Sequence, residues 1–165
     1  MNFSSVLANE LKQLIGFSSA QPKTINLTDA DGLEVAIDFT AVDSMSCSLH
    51  ELRLHVPSLI GTELAALKTW AENLSSRVTY LLESIGPLEF DPDQQQVLIR
   101  STPPDKQENQ IKFYEILLQS GSDGNFSLSR YSSESGTPGR TRVDIQVTHE
   151  VLDKLVDDLI ATIPS

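Results

Sequence analysis

The sequence predicts an α+β fold in which an antiparallel sheet of about six to eight strands carries about three helices, packed mainly on one face. Helix-like spacing of apolar residues occurs near both ends of the chain and once between them. Alternating apolar and polar residues, typical of half-buried strands, fill the rest in consecutive runs without strand–helix alternation. The chain has 165 residues, 39% of them hydrophobic, so we expect one domain spanning residues 1–165.

The N-terminal segments predict a helix followed by a hairpin. FSSVLANELKQLI has apolar residues at spacings of three and four, with Ser4 or Ser5 as a candidate N-cap and Gly16 at the end. Residues 18–24 are polar and are expected to form a linker. The next segment, TINLTDADGLEVAIDF, alternates on both sides of Asp29–Gly32, which is typical of a β-hairpin.

The third strand contains a change of phase. Its apolar residues lie first at odd and then at even positions: Met45, Cys47, Leu49, Leu52, Leu54 and Val56. A shift of one residue exchanges the two faces of a strand, so we expect a bulge or bend near His50 and Glu51.

A second helix is expected after Pro57, with Ser58 or Thr62 as its cap, through ELAALKTWAENL. Residues 78–85 are ambiguous, because their apolar spacing fits a helix whereas their β-branched and aromatic content fits a strand. The strand is slightly favoured, and Pro87 ends the segment.

The second half of the chain predicts an antiparallel meander. Residues 88–90 and 97–100 are expected to be short strands joined by DPDQQQ. IKFYEILLQ is apolar on both faces, which suits a central strand covered on both sides or lying at an interface. Strands follow in FSLSRYSS and RVDIQVT, and THEVLDKLVDDLIATI predicts a closing helix with Thr148 as its N-cap.

The composition argues against several classes of partner. The 23 acidic and 12 basic residues give a formal net charge of −11, which repels the phosphates of nucleic acids and anionic lipids. We therefore expect neither nucleic-acid nor membrane partners, and Arg130, Arg140 and Arg142 come nearest to a basic site. The apolar runs are far shorter than the ~20 residues of a membrane span, and a signal-peptide pattern is lacking, so a soluble, cytoplasmic protein is expected.

No catalytic pattern is present. The densest group of chemically active residues is LEFDPDQQQVLIRSTPP, where Asp91 and Asp93 flank a proline and Arg100 follows. Paired-acid hydrolysis requires two carboxylates facing each other across a cleft, and a tight turn does not provide one. Serine-nucleophile and nucleotide-binding motifs are also missing, so no catalytic residue and no cofactor are expected.

Metal and disulfide chemistry are not expected either. His50, His55 and His149 lack zinc-binding spacing, and the acidic turns lack the spacing of a calcium loop. Cys47 is the single cysteine, so no intramolecular disulfide can form, and we expect a buried structural side chain.

Five residues are the candidates for a binding surface. Phe113 and Tyr114 belong to the strand that is apolar on both faces, and Trp70 with Tyr80 would add an aromatic edge. Arg100 ends an apolar strand, where its guanidinium either reaches solvent or pairs with a carboxylate. Burial within the monomer is the alternative explanation for the apolar strand.

The order of elements, the low isoelectric point, the early hairpin LTDADGLEVAIDF and the closing acidic helix THEVLDKLVDDLI resemble the class I chaperones of type III secretion and related CesT-like scaffolds. Residues 105–148 add about three strands that such chaperones lack. The resemblance implies a homodimer that binds an extended partner chain along its sheet and helix edges, without cofactor or catalysis.

The sequence thus favours a non-catalytic protein-interaction module, chaperone-like or regulatory, that acts as a homodimer. One alternative is a small-molecule-binding protein or an enzyme without recognisable motifs, with a pocket between sheet and helices where Arg100, Asp91, Asp93 and Tyr114 would meet. A structural or regulatory subunit of a larger assembly is a third hypothesis.

Overall fold

The computed structural model describes residues 1–165 and confirms the α+β class, with three helices and an antiparallel sheet. The helices are α1 (Phe3–Leu14), α2 (Leu64–Arg77) and α3 (His149–Ala161). The strands are β1 (Ser18–Thr28), β2 (Glu34–Val42), β3 (Ser46–His55), β4 (Ile85–Asp91), β5 (Gln96–Ser101), β6 (Asp105–Gln107), β7 (Gln110–Gln119), β8 (Asn125–Glu134), β9 (Thr141–Val143) and β10 (Ile145–Thr148). The sheet has ten strands instead of six to eight, because the short β6, β9 and β10 are additional.

The sheet has a continuous path with two short forks. Its order is β1-β2-β3-β8-β7-β5-β4, so β1 and β4 end the path. β7 is central, as expected, although helices cover one of its faces instead of both. β3 pairs with β10 along its first half and with β8 along its second half. β8 in turn pairs with β9, so that β9 and β10 together fill the fork where β3 and β8 separate.

One face of the sheet forms the core. Five apolar residues lie in register across the central strands on this face: Ile37, Leu52, Leu128, Ile116 and Ile99. The helices pack over this face, α2 against β4, β5 and β7, and α1 against α3 and β1. Full burial of one such side chain stabilises the fold by roughly 1.5–3 kcal/mol, so this row holds the sheet and helices together.

The expected bulge in the third strand is confirmed. Asp38 pairs with Glu51 and the next residue, Phe39, pairs with Leu49, so His50 is the extra residue of β3. The bulge restores the phase of the strand, because Cys47 and Leu49 before it and Leu52 after it are all buried.

Two expectations about α2 and the segment after it are corrected. The N-cap residue of α2 is Glu63, without a side-chain capping hydrogen bond, rather than Ser58 or Thr62. Pro87 lies inside β4 instead of ending a strand.

Three further local expectations are corrected. Asn2, rather than Ser4 or Ser5, caps α1, and its Oδ1 accepts a hydrogen bond from the Ser5 amide at 3.1 Å. Residues 18–24, expected to be a linker, belong to β1 because that strand pairs with β2. Residues 78–84 are neither helix nor strand.

The connection at residues 78–84 is held by its side chains. Val78 and Leu81 enter the core, and Tyr80 and Glu83 bind groups on α3 and β8. These tertiary contacts replace the backbone ladder that a strand would have formed, and β4 begins only at Ile85.

Candidate interaction surfaces

The sheet face opposite the helices, here called the outer face, carries a network of arginines, acids and aromatic rings. Strand alternation places Glu115, Phe113 and Tyr131 on this face, because they lie one residue out of phase with the core row. Four of the 12 basic residues join them: Arg53, Arg100, Arg140 and Arg142. Such a polar, charged face is typical of an antiparallel sheet that has one face packed on the core and the other exposed to solvent.

Glu115 is the centre of one half of the network. Arg100 donates to its Oε2 at 2.9 Å, and Arg140 donates to its Oε1 at 3.0 Å. Burial would raise the pKa of Glu115, but the hydrogen bonds from Arg140 and Arg100 outweigh burial and hold the pKa below its ordinary value. The carboxylate therefore stays ionised while two guanidinium groups share it.

Tyr131 links the two halves of the outer face. The guanidinium carbons of Arg140 and Arg142 lie 3.8 and 5.2 Å from its ring centroid, within cation–π range. The Phe113 ring stacks on it with centroids 5.8 Å apart. Arg142 also donates to Glu51 at 3.1 Å, so the aromatic pair is enclosed by charged groups that fix its position.

A small apolar cavity of about 220 Å³ opens beside Arg100 and Phe113. Leu88, Pro104 and Ile111 line its other sides. Gly86 leaves space there because it has no side chain, and a Cβ at this position would lie 3.1 Å from the hydroxyl oxygen of Thr102. Arg100 is the one ionisable residue of the lining, and the guanidinium carbon lies 4.9 Å from the Phe113 ring centroid.

A buried ion pair lies on the other face of the sheet. Arg130 donates to both carboxylate oxygens of Glu83, at 2.8 and 3.2 Å, and the two side chains are only 6% and 8% exposed. The guanidinium carbon of Arg130 is 4.2 Å from the Tyr114 ring centroid. Ser101 completes the cluster by donating to Glu83 and accepting from the Tyr114 amide. Every member has a partner, which is the condition for a stable buried charge.

An open cleft of about 380 Å³ borders this cluster, with Lys112, Asp105 and the exposed Leu82 in its walls. Its volume falls in the range of small-molecule sites. However, Glu83 already holds Arg130 in a bidentate pair, so the guanidinium is not free to bind a ligand.

Two of the five candidate binding residues converge, and three do not join them. Arg100 and Phe113 meet at the apolar cavity. Tyr114 faces the opposite side of the sheet, because adjacent residues of a strand alternate. Trp70 is fully buried in the core, where its indole donates to the Thr162 hydroxyl at 3.0 Å.

Tyr80 is half-buried and donates to Asp158 at 2.7 Å. Arg77 and Lys154 bind the same carboxylate, at 2.8 and 3.1 Å, so this cluster joins α2 and the connection after it to α3. Trp70 and Tyr80 therefore hold helices together and do not form an exposed aromatic edge.

The four residues of the pocket hypothesis are separated. Arg100 lies on the outer face and Tyr114 on the helix face, while Asp91 forms the β4–β5 turn. Its Oδ1 accepts hydrogen bonds from the amides of Asp93 and Gln94, at 3.1 and 3.2 Å. This arrangement is typical of an Asx-turn, so the Asp91 side chain stabilises the turn and Asp93 takes part through its backbone amide.

The three histidines and the acidic residues do not form a metal site. No group of three His, Cys, Asp or Glu side chains is arranged to hold a metal ion. His50 lies in the bulge with its Nε2 3.2 Å from an Arg142 nitrogen, and His149 opens α3 beside the Ser46 carbonyl.

Sequence reasoning missed Glu83, Glu115 and Tyr131. It also grouped Arg130 with Arg140 and Arg142, whereas the structure places Arg130 on the helix face and the other two on the outer face. Alternation along FSLSRYSS would have separated Arg130 from Tyr131, but no local pattern shows which strand supplies the acid.

The two strands that end the path of the sheet differ in character. β4 contains Pro87 and an irregular register between Pro87 and Glu89, features that oppose pairing with another strand. β1 has Pro22 and a register shift in its first half, but residues 23–28 pair with β2 without interruption. This second half of β1 presents an unpaired edge to solvent.

No helix of the structure is both long and apolar enough to cross a membrane. Comparisons with protein-family models, with curated proteins and with solved structures found no match to this chain.

Proposed function

We propose that this chain is a non-catalytic protein-interaction module of the cytoplasm, chaperone-like or regulatory, that acts as a homodimer through the open edge of β1. The observation that carries the proposal is the regular, unpaired edge at residues 23–28. An exposed strand edge has free backbone donors and acceptors, and adding a strand from another chain satisfies them.

Charge also favours β1 over the rest of the surface. Two copies with a formal net charge of −11 each repel one another. Residues 11–28 contain no acid, although the chain has 23 acids, and both Lys12 and Lys23 lie in this segment. Approach along β1 therefore brings together segments that carry no acid of their own, which lessens the repulsion.

The side chains of the edge suit an added strand. Ile25 and Leu27 point toward the core side, where Leu27 is buried and Ile25 is half-buried against the main cluster. A second β1 would cover Ile25 further. The resemblance of the element order to the type III secretion chaperones supports a dimer that handles an extended chain, and the acidity disfavours nucleic acid and anionic lipid.

Sedimentation velocity at micromolar concentration tests the proposal. We expect a particle of twice the 18.2 kDa chain mass, and a fraction of monomer that increases on dilution. The double variant Lys23→Glu with Asn26→Asp places carboxylates on the acid-free edge. Like charges facing each other across strands destabilise pairing, so the dimer dissociation constant should rise about tenfold or more.

The chain offers a matched control. Lys106→Glu with Asn109→Asp makes the same chemical changes, at the same spacing and also on exposed residues, near the β6–β7 turn. Both variants have the same formal charge, so an effect of net charge alone would appear in both. A wild-type chain that stays monomeric, or equal weakening by both variants, would refute dimerisation through β1.

A further inference from the structure

The apolar cavity beside Arg100 is a small, shaped site on the outer face. Its volume of about 220 Å³ is below the range of pockets that hold whole cofactors or drug-sized ligands, roughly 300–1,000 Å³. It exceeds the ~150 Å³ cavity that accepts a benzene ring. The cavity therefore has room for one large apolar side chain.

Positive charge is in surplus around Arg100, the one ionisable residue that lines this cavity. Arg100 and Arg140 both pair with Glu115 and with no other acid, so two cations share one anion. The Nε atom of Arg100 is also buried and has no hydrogen-bond acceptor within the protein. The Arg100 side chain as a whole is 35% exposed, so an anionic group arriving at the cavity would balance this charge by binding the terminal nitrogens of the guanidinium.

The spacing restricts how the anion and the apolar group are connected. The Arg100 guanidinium carbon lies 4.9 Å from the Phe113 ring centroid in the cavity wall, so a ligand must present both groups within a few ångströms. In an extended peptide, neighbouring side chains point to opposite faces, which directs an acid next to the apolar residue away from the cavity. The C-terminal residue of a chain has its carboxylate and side chain on the same Cα.

We propose that this cavity binds the C-terminal residue of a partner chain that ends in a large apolar side chain. The side chain fills the space left by Gly86 between Leu88 and Phe113, and the terminal carboxylate binds Arg100. The site lies toward the β4 edge, at the far end of the sheet from β1, so a dimer formed through β1 leaves it accessible.

Titration of the full chain with N-acetylphenylalanine, followed by amide chemical shifts in heteronuclear NMR spectra, tests the proposal. We expect saturable shifts at Gly86, Ile111 and Phe113. N-acetylphenylalaninamide keeps the ring and lacks the carboxylate, and it should bind about tenfold or more weakly, the change expected for one charge-assisted hydrogen bond.

A third probe identifies the source of the carboxylate. N-acetyl-aspartyl-phenylalaninamide carries an acid on the preceding residue and no terminal carboxylate, and it should bind as weakly as the simple amide. If it binds as tightly as N-acetylphenylalanine, the assignment to a chain terminus is wrong.

Variants test the two halves of the site. Arg100→Gln should remove the preference for the carboxylate probe over its amide, whereas Arg53→Gln makes the same change in another ion pair of the outer face and should leave the preference intact. Leu88→Ser, at a residue that is 47% exposed, should weaken all probes without disturbing the core.

Two results would overturn the inference: no saturable shift at the cavity up to the millimolar range, or equal affinity for N-acetylphenylalanine and its amide. Neither result depends on the oligomeric state. Loss of the dimer in the β1 variant with retained probe binding would separate this inference from the proposed function.

Discussion

Removing the Glu83 side chain is expected to destabilise the fold strongly. Glu83 is held by a connection without regular secondary structure, and its carboxylate is the one acid paired with Arg130. In Glu83→Ala, the guanidinium of Arg130 stays beneath that connection, 5% exposed as a residue, without a counter-ion. Ser101 also loses the acceptor of its hydroxyl.

The magnitude follows from the burial of the pair. Breaking a buried ion pair by removing one partner costs about 3–5 kcal/mol, compared with a total stability of about 5–15 kcal/mol for a domain. For a chain of this size, 1 kcal/mol corresponds to about 2–4 °C in the melting temperature. We therefore expect Glu83→Ala to lower the melting temperature by about 6–20 °C.

Urea unfolding followed by Trp70 fluorescence measures the loss of unfolding free energy. Trp70 is fully buried, so its emission reports exposure of the core. Arg130→Met removes the cation, and in the double variant Glu83→Ala with Arg130→Met no unpaired charge remains. The loss of unfolding free energy in the double variant should be smaller than the sum of the losses in the two single variants by about 0.5–3 kcal/mol.

Glu89→Ala is the control, because Glu89 is exposed on β4 and forms no ion pair. It should change stability by no more than about 0.5 kcal/mol. The reasoning would be refuted if Glu83→Ala cost less than about 1 kcal/mol, or if the two single variants were additive.

Two further predictions concern titratable groups. Burial would raise the pKa of Asp158, but hydrogen bonds from Arg77, Tyr80 and Lys154 hold this pKa below the ordinary 3.8. The ionised carboxylate therefore stabilises the fold above pH 3.8, and this stabilisation is lost as the pH falls through the lowered pKa. Asp158→Asn should therefore be less stable than wild type near neutral pH, with the difference shrinking below about pH 4 in thermal unfolding; a constant difference would contradict this. Burial, reinforced by Asp43 and Asp153, raises the pKa of the Cys47 thiol to about 12, so iodoacetamide should modify Cys47 in urea and leave the native chain unmodified in mass spectra. Rapid modification of the native protein would show that Cys47 is accessible.

Part of the outer-face site follows from sequence. Arg100 and Phe113 are identifiable because one ends an apolar strand and the other lies in a strand with two apolar faces. Tyr114 does not belong with Phe113, because alternation along the strand requires the two side chains to face opposite ways. The cavity itself depends on Gly86, which lies in β4 before residue 88, where the sequence predicts that the strand begins.

Elements that have a local signature can be predicted from the sequence. The three helices, the β1–β2 and β4–β5 hairpins and the bulge at His50 follow from the spacing of apolar residues, which is fixed by the geometry of helix and strand. In contrast, the pairing of β3 with β8 and the contacts of Glu83 with Arg130 and of Arg140 with Glu115 are visible only in the folded chain. These contacts join residues far apart in the chain. Local periodicity determines which face a side chain occupies, whereas the packing of the whole sheet determines which strands become neighbours.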